Sequence, residues 1–321
     1  MKITPQQLHI PVLLDAVLDL LRPRAGESYL DLTAGYGGHA RAVIARDRAA
    51  NCATLVDRDE FAISHLGDLQ EQSARIIQSD FLAAAEKLCD ENAKFDMILL
   101  DLGVSSPQLD LAERGFSFAK DGPLDMRMDQ SAKLTAAEIV NRWSRKDLEK
   151  ILIEYGEEPP RLAAKIAWAI VLRRKKEKFT STNDLAEVVR IAIAKTDGGK
   201  YHKVHPATKT FQAIRIAVND ELGQLKKTLP ILPDLLNDDG RLAIISFHSL
   251  EDRIVKNFLK ERSEDGLEAT LKILTKHPIS GAENDENPRA RSAKLRAAEK
   301  VTTYHHTPQS VNQPRRATAQ Q

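Results

Sequence analysis

Three runs of residues have the types and spacing to hold an adenosine. In Asp31-Leu32-Thr33-Ala34-Gly35-Tyr36-Gly37-Gly38-His39-Ala40, the residues Gly35, Gly37 and Ala40 meet the G-x-G-x-x-G/A spacing, in which glycines let a nucleotide approach the backbone at a helix start. Asp57 follows Gly37 by 20 residues, where an acid accepts from ribose hydroxyls. Gln78-Ser79-Asp80-Phe81 then offers a polar group to an adenine edge and an aromatic ring to its face. The glycine pattern fits a nicotinamide dinucleotide and S-adenosylmethionine equally. A dinucleotide also needs room for a second nucleoside and groups for hydride transfer, and no clear polar pair downstream suggests them. Gln78 to Phe81 therefore favours S-adenosylmethionine.

The segment from Asp101 to Asp129 has neither a strand's alternation nor a helix's period. Loops longer than about 12–15 residues are uncommon in compact domains unless they are functional. This one leaves an apolar run, Phe95 to Leu100, at the edge of an open parallel sheet where ligands bind. Asp101 and the turn Ser105-Ser106-Pro107 open this segment at that edge and are its candidates for catalysis. The competing reading is a proline turn that shapes the cofactor pocket. Phe116 and Phe118 cover a base or anchor the loop, and the anchor is preferred. Arg127 meets phosphate or pairs with Asp125 and Asp129. His248 and Ser249 stand just past a later strand, with His248 a candidate for lining a base pocket, while His39 suits packing better than proton transfer.

These residues need a scaffold. Val12 to Leu21 has helical spacing, and Tyr29–Leu32, Ala53–Val56, Arg75–Ile77 and Phe95–Leu100 read as strands separated by helical patterns. Alternation of this kind predicts a parallel sheet covered on both faces. The next strand, Arg241 to Phe247, follows the turn Asn237 to Gly240 and begins 140 residues beyond Asp101. The excess is helical: a capping box at Thr135 to Glu138, a cap at Ser144, a start at Pro159-Pro160, and a fourth pattern through Leu185, Val188, Val189 and Ala192. A helix near Thr210 to Leu225 returns the chain to the sheet. The expected organisation is residues 1–118 and 205–288 as two parts of one α/β domain, residues 119–204 as an inserted helical domain for substrate recognition, and residues 289–321 as a basic tail without fixed structure. That tail holds seven Lys or Arg and one acid.

Composition narrows the class. Forty-seven basic and forty-six acidic residues give a net charge of +1, so any basic surface must be local. Arg173-Arg174-Lys175-Lys176 and Lys200-Tyr201-His202-Lys203 are two such clusters and suit contact with RNA. Cys52 and Cys89 are too few for a disulfide framework or a zinc cluster. The absence of a signal-peptide core or a run of ~18 apolar residues predicts a cytoplasmic chain without membrane contact.

With Gly37-Gly38-His39, the loop from Asp101 to Asp129, His205-Pro206-Ala207-Thr208-Lys209-Thr210-Phe211-Gln212-Ala213-Ile214-Arg215 and Ile245-Ser246-Phe247-His248-Ser249-Leu250-Glu251-Asp252-Arg253 all present, the chain resembles the RsmH (MraW) family of bacterial 16S ribosomal RNA cytosine N4-methyltransferases from about His9 to Arg296. The resemblance implies a Rossmann-like methyltransferase sheet with an inserted all-helical domain, S-adenosyl-L-methionine as cofactor, and a decoding-centre cytosine of 16S rRNA in the small ribosomal subunit as substrate. It implies cofactor contacts from Gly37, Gly38, His39, Asp57, Phe81, Asp101 and Gln108, and leaves monomer and homodimer open. Lys209 replaces a usual arginine, and a lysine cannot form a bidentate phosphate fork, so its place among the substrate-binding candidates with Arg127 and His248 rests on charge alone. Three other readings remain: a dinucleotide-dependent oxidoreductase, an RNA-binding assembly factor with a vestigial cofactor site, and an amino-methyltransferase of DNA.

Overall fold

The computed structural model describes residues 11–48, 50–197, 205–264, 269–284 and 287–302. An opening helix, α1 (Leu14–Leu21), leads into alternating strands and helices: β1 (Tyr29–Asp31), α2 (Gly38–Asp47), β2 (Ala53–Asp57), β3 (Arg75–Gln78), α3 (Phe81–Asp90) and β4 (Phe95–Asp101). After the long excursion, β5 (Leu236–Ser246) re-enters the sheet, and β6 (Leu271–Ile273), β7 (Ile279–Ser280) and β8 (Lys294–Lys300) complete it. The order is β3-β2-β1-β4-β5-β8-β6, with β7 also paired to β8. The first five strands are parallel, and β8 runs antiparallel to both β5 and β6.

The apolar runs form buried strands because both faces of the sheet are covered. Side chains of β4 alternate between two cores: Met97 and Leu99 join Val17, Leu21, Ala243 and Ile245 on one face, and Ile98 and Leu100 join Leu88, Leu242, Ile244 and Phe258 on the other. This period of two is what a strand demands. Order reverses between β1 and β4, so the crevice beyond their carboxyl ends is the topological switch point, where such sheets bind ligands.

The insertion is helical. Thr135 caps α4 (Ala136–Arg142) and Ser144 caps α5 (Arg145–Glu154), each accepting from the backbone three residues on at 3.2 Å. Pro160 opens α6 (Pro160–Arg174), and α7 (Thr182–Asp197) follows. Their apolar faces build a third core that includes Ile139, Leu148, Ile166, Ile170 and Leu185.

Three expectations change. The single helix near Thr210 to Leu225 is two, α8 (Thr208–Asn219) and α9 (Glu221–Thr228), broken at Asp220 with φ +48°. Phe211, Ala213 and Ile214 of α8 pack into the helical core, whereas Leu225 of α9 packs on the sheet. The turn Asn237 to Gly240 lies inside β5 as a register shift, with Phe95 opposite Leu236 and Met97 opposite Arg241. The supposed tail from residue 289 instead supplies β8, whose Leu295, Ala297 and Ala298 are buried. Its sequence, Lys-Leu-Arg-Ala-Ala-Glu-Lys, has weak strand propensity, and long-range pairing overrides that preference. The rest of that stretch, residues 303–321, and the cluster Lys200 to Lys203 lie outside the described residues.

Candidate active site

A cleft of about 530 Å³ opens at the carboxyl edge of the sheet, within the range of small-molecule sites. Thr33, Ala34, Gly35, Tyr36, Gly38 and His39 come from the turn after β1, Asp57 ends β2, Phe81 opens α3 and Asp101 ends β4. Gly103 to Ser106, Gln108, Thr208, Gln212, Arg215, Phe247, His248 and Glu251 complete its wall. Gly37 stands at the head of α2 with φ +76°, a left-handed conformation that strains any side chain and favours glycine.

Asp57 is held from behind. Its Oδ2 accepts from Gly35 N at 2.7 Å and its Oδ1 from Asp59 N at 2.8 Å, and burial pushes its carboxyl up. Two further carboxyls sit along the same edge. Asp31 accepts from Tyr29 Oη at 2.8 Å and Thr33 N at 3.1 Å, yet burial raises it to about 7. Asp101 is raised well above the usual carboxylate range by burial, then by Asp31 and Glu251. Its backbone N–H donates to Thr33 Oγ1 at 2.5 Å, its Oδ2 is 3.7 Å from His39 Nδ1, and its buried Oδ1 has no hydrogen-bond partner. His39 Nε2 lies 3.0 Å from the Val12 carbonyl oxygen, so this nitrogen donates and orients the ring.

The loop after β4 is anchored by a buried polar knot. Ser105 caps the helical turn Ser106–Asp110 in a capping box with Gln108: Ser105 Oγ accepts from Gln108 N at 3.4 Å, and Gln108 Oε1 accepts from Ser105 N at 3.0 Å. Gln108 Nε2 and Arg114 Nη1 both donate to Asp59 Oδ2 at 2.8 Å. Arg114 Nη2 also reaches the carbonyls of Arg127 and Met128. Asp59, Arg114 and Gln108 are 4%, 5% and 6% exposed. Phe116 belongs to the helical core, and the Phe118 ring lies edge-on to Phe211 at 4.8 Å, so both anchor the loop.

The structure thus brings Gly38, His39, Asp57, Phe81, Asp101, Ser105, Ser106, Gln108 and His248 to one cleft, and Gly37 joins the lining residues Tyr36 and Gly38 at the head of α2. It does not bring Arg127 or Lys209. The Arg127 guanidinium pairs with both Asp125 oxygens and donates to the Gln130 and Ala132 carbonyls. Lys209 Nζ donates to the Glu157 carbonyl at 3.1 Å. His248 lines the cleft but also caps α10 (Ser249–Glu264): its Nδ1 accepts from Glu251 N at 3.4 Å, while Glu251 Oε2 accepts from Phe247 N and His248 N. His248 Nε2 lies 3.2 Å from Glu251 Oε1 without an aligned hydrogen bond. Of the cluster Arg173 to Lys176, Arg173 is tied to Asp184 and Arg174 to the Val140 and Trp143 carbonyls, which leaves only Lys175 and Lys176 exposed.

Several site residues escaped the sequence reading. Asp31 and Thr33 stand in the glycine-turn run without a role of their own in the sequence, and Asp59 is not singled out there. Arg215 lies on the cleft face of α8 with Thr208 and Gln212, at helical spacing that was available in the sequence. It pairs with Glu221 through two contacts of 2.9 Å; burial works against its charge, but Glu221 and Glu251 hold it above the usual range.

Residues 6–301 match the sequence profile of the MraW methylase family. The chain is 45% identical over 315 residues to a protein of Heliobacterium mobile named Ribosomal RNA small subunit methyltransferase H, covering 91% of this chain and 99% of the relative. The protein of that name from Synechocystis sp. is 48% identical over 305 residues, with 91% and 93% covered. Among solved structures, an rRNA methylase from Streptococcus thermophilus aligns over 94% of this chain and 99% of its own at a TM-score of 0.38 and 12% identity, a likeness too loose to argue from. No helix among the described residues is long and apolar enough to cross a membrane.

Proposed function

Because this chain belongs to the MraW methylase family, we propose that it transfers a methyl group from S-adenosyl-L-methionine to the exocyclic N4 of a cytosine in the 16S RNA of the small ribosomal subunit. The observation that carries the reading at the site is the Asp101 carboxyl, buried at the carboxyl end of β4 with Oδ1 unpartnered and lining a cleft of cofactor size. This reading places the enzyme in the cytoplasm, with the small subunit or its RNA as partner.

The residues present fit the cofactor. The glycine turn leaves room for close approach, the Asp57 carboxyl lies where ribose hydroxyls need an acceptor, and Phe81 lines the wall beside Ser79 and Asp80 where an adenine needs a face. When bound, S-adenosylmethionine supplies a methyl already activated by its sulfonium. What the chain must add is alignment, worth up to roughly 7–11 kcal/mol for well-held reactants, and a group for the proton that N4 sheds as its bond to the methyl carbon forms. Asp101 Oδ1 is that acceptor. Its raised affinity for protons makes it a stronger base than an exposed carboxylate. The Ser105-Ser106-Pro107 turn acts as a brace: Ser105 spends its hydroxyl on the cap, and Gln108 spends its amide on Ser105 and Asp59. Arg215 places a cation on the α8 wall where the acceptor edge of a cytosine requires donors.

The deciding experiment is transfer of labelled methyl to small subunits that lack the modification, followed by mapping of the labelled base. The expected product is a single 16S cytosine modified at N4. Subunits that take up no label, or label elsewhere, would sink the reading.

A further inference from the structure

Helix α6 exposes a face that the fold leaves uncovered. Arg161, Lys165, Trp168 and Leu172 recur at steps of four, three and four along it, within one stripe of the helix surface, and Lys175 and Lys176 follow in the turn just past its last residue, Arg174. All six are exposed, and Trp168 and Leu172 are 54% and 43% exposed, unusual for residues of this type and size. Among the described residues, none of these four cations joins an ion pair, whereas Arg173 and Arg174, off the stripe, are both tied down. The stripe also starts near the cleft. Glu157, four residues before Arg161, pairs with Ser249 and with Arg253, and Ser249 follows His248 of the cleft wall. From there α6 carries the stripe roughly 22 Å, at about 1.5 Å per residue.

We infer that this face of α6 binds the ribosomal RNA flanking the target cytosine, with Arg161, Lys165, Lys175 and Lys176 on phosphates and Trp168 stacked on an unpaired base. The inference rests on the functional reading above. An extended polyanion with flat apolar faces matches a row of free cations around an exposed indole. A second copy of this chain matches it poorly, because a two-fold axis through the stripe would set these cations against each other.

The test uses the full-length enzyme with unmodified small subunits. A variant carrying R161E, K165E, K175E and K176E, and separately Trp168→Ala, should each raise KM for the subunit by about tenfold or more. In both, kcat should stay within about twofold, and the dissociation constant for S-adenosylmethionine by calorimetry should not move, which also reports that the fold is intact. The slope of log KM against log salt should become shallower by about 3 in the fourfold variant, at about 0.7 per phosphate contact on single strands. Trp168→Phe should keep most of the affinity. A fourfold variant with the wild-type KM and salt slope overturns the inference. So does one whose only change is a lower mass of the free protein in sedimentation, the mark of a contact between copies. Wild-type enzyme that labels no subunit overturns the functional reading and this inference together; a labelled subunit with unaltered variants overturns this inference alone.

Discussion

The sheet edge and the loop that covers it treat their acids in opposite ways. Along the edge, Asp31, Asp57 and Asp101 form no ion pair with an arginine among the described residues, and each is pushed up by burial. Across the loop and the helical layer, four acids are each matched by an arginine: Asp59 by Arg114, Asp125 by Arg127, Asp184 by Arg173 and Glu221 by Arg215. Paired charges hold a structure together, because removing one partner strands the other. Unpaired buried carboxyls weaken a structure, so their persistence along one edge marks the place where a ligand completes them.

The largest expected effect is at Asp101. Asp101→Asn should lower methyl transfer by about 10²–10⁴-fold while the melting temperature holds or rises, since a buried unpaired acid is replaced by a neutral amide. A large loss of stability instead would move Asp101 into the structural class. Next comes Arg114→Ala, which strands Asp59 in the interior and should destabilise by roughly 3–5 kcal/mol, read as a fall in melting temperature of roughly 4–7 °C. If the protein melts normally but loses activity, the loop's ion pair belongs with the catalytic acids.

A third test uses pH. Asp31 holds its proton to about 7 in the fold against 3.8 as a free side chain, and an acid raised in the folded state contributes stability that is complete below the unfolded value and lost as pH rises through the folded one. Melting temperature of the ligand-free protein should therefore drop between about pH 4 and 7, and less so in Asp31→Asn. Asp101 adds to the same slope. Activity should run the other way, with kcat/KM rising on a limb set above the usual carboxylate range as Asp101 loses its proton. The smallest effects belong to the loop's brace. Ser105→Ala should cost about 1 kcal/mol as a lost cap, and Arg127→Ala should leave KM for the subunit within about twofold. A tenfold rise in KM for Arg127→Ala would restore Arg127 to the RNA-binding set.

Much of this was legible in the sequence, and what was missed has a common cause. Glycine spacing, apolar strand runs, capping residues and the long unpatterned loop are local signals, each decided by one residue and its near neighbours. They placed five strands, the helical insertion and the positions of Gly37, Asp57, Phe81 and Asp101. Arg127 misled because a charge in a loop reads alike whether it faces a phosphate or an aspartate two residues away. The β8 segment misled because its partners lie about fifty residues upstream in β5, and alanine-rich charged sequence carries no mark of that pairing.

By itself the sequence determined the element order, the glycine turn and the family to which the chain belongs, because those depend on residue identity and spacing. Only the tertiary structure decided which acids are neutralised. Asp59 and Asp57 are two residues apart with the same side chain, and one meets a guanidinium brought from Arg114 while the other meets only backbone N–H groups at the cleft. Charge compensation acts over ångströms in space, and distance along the chain does not report it.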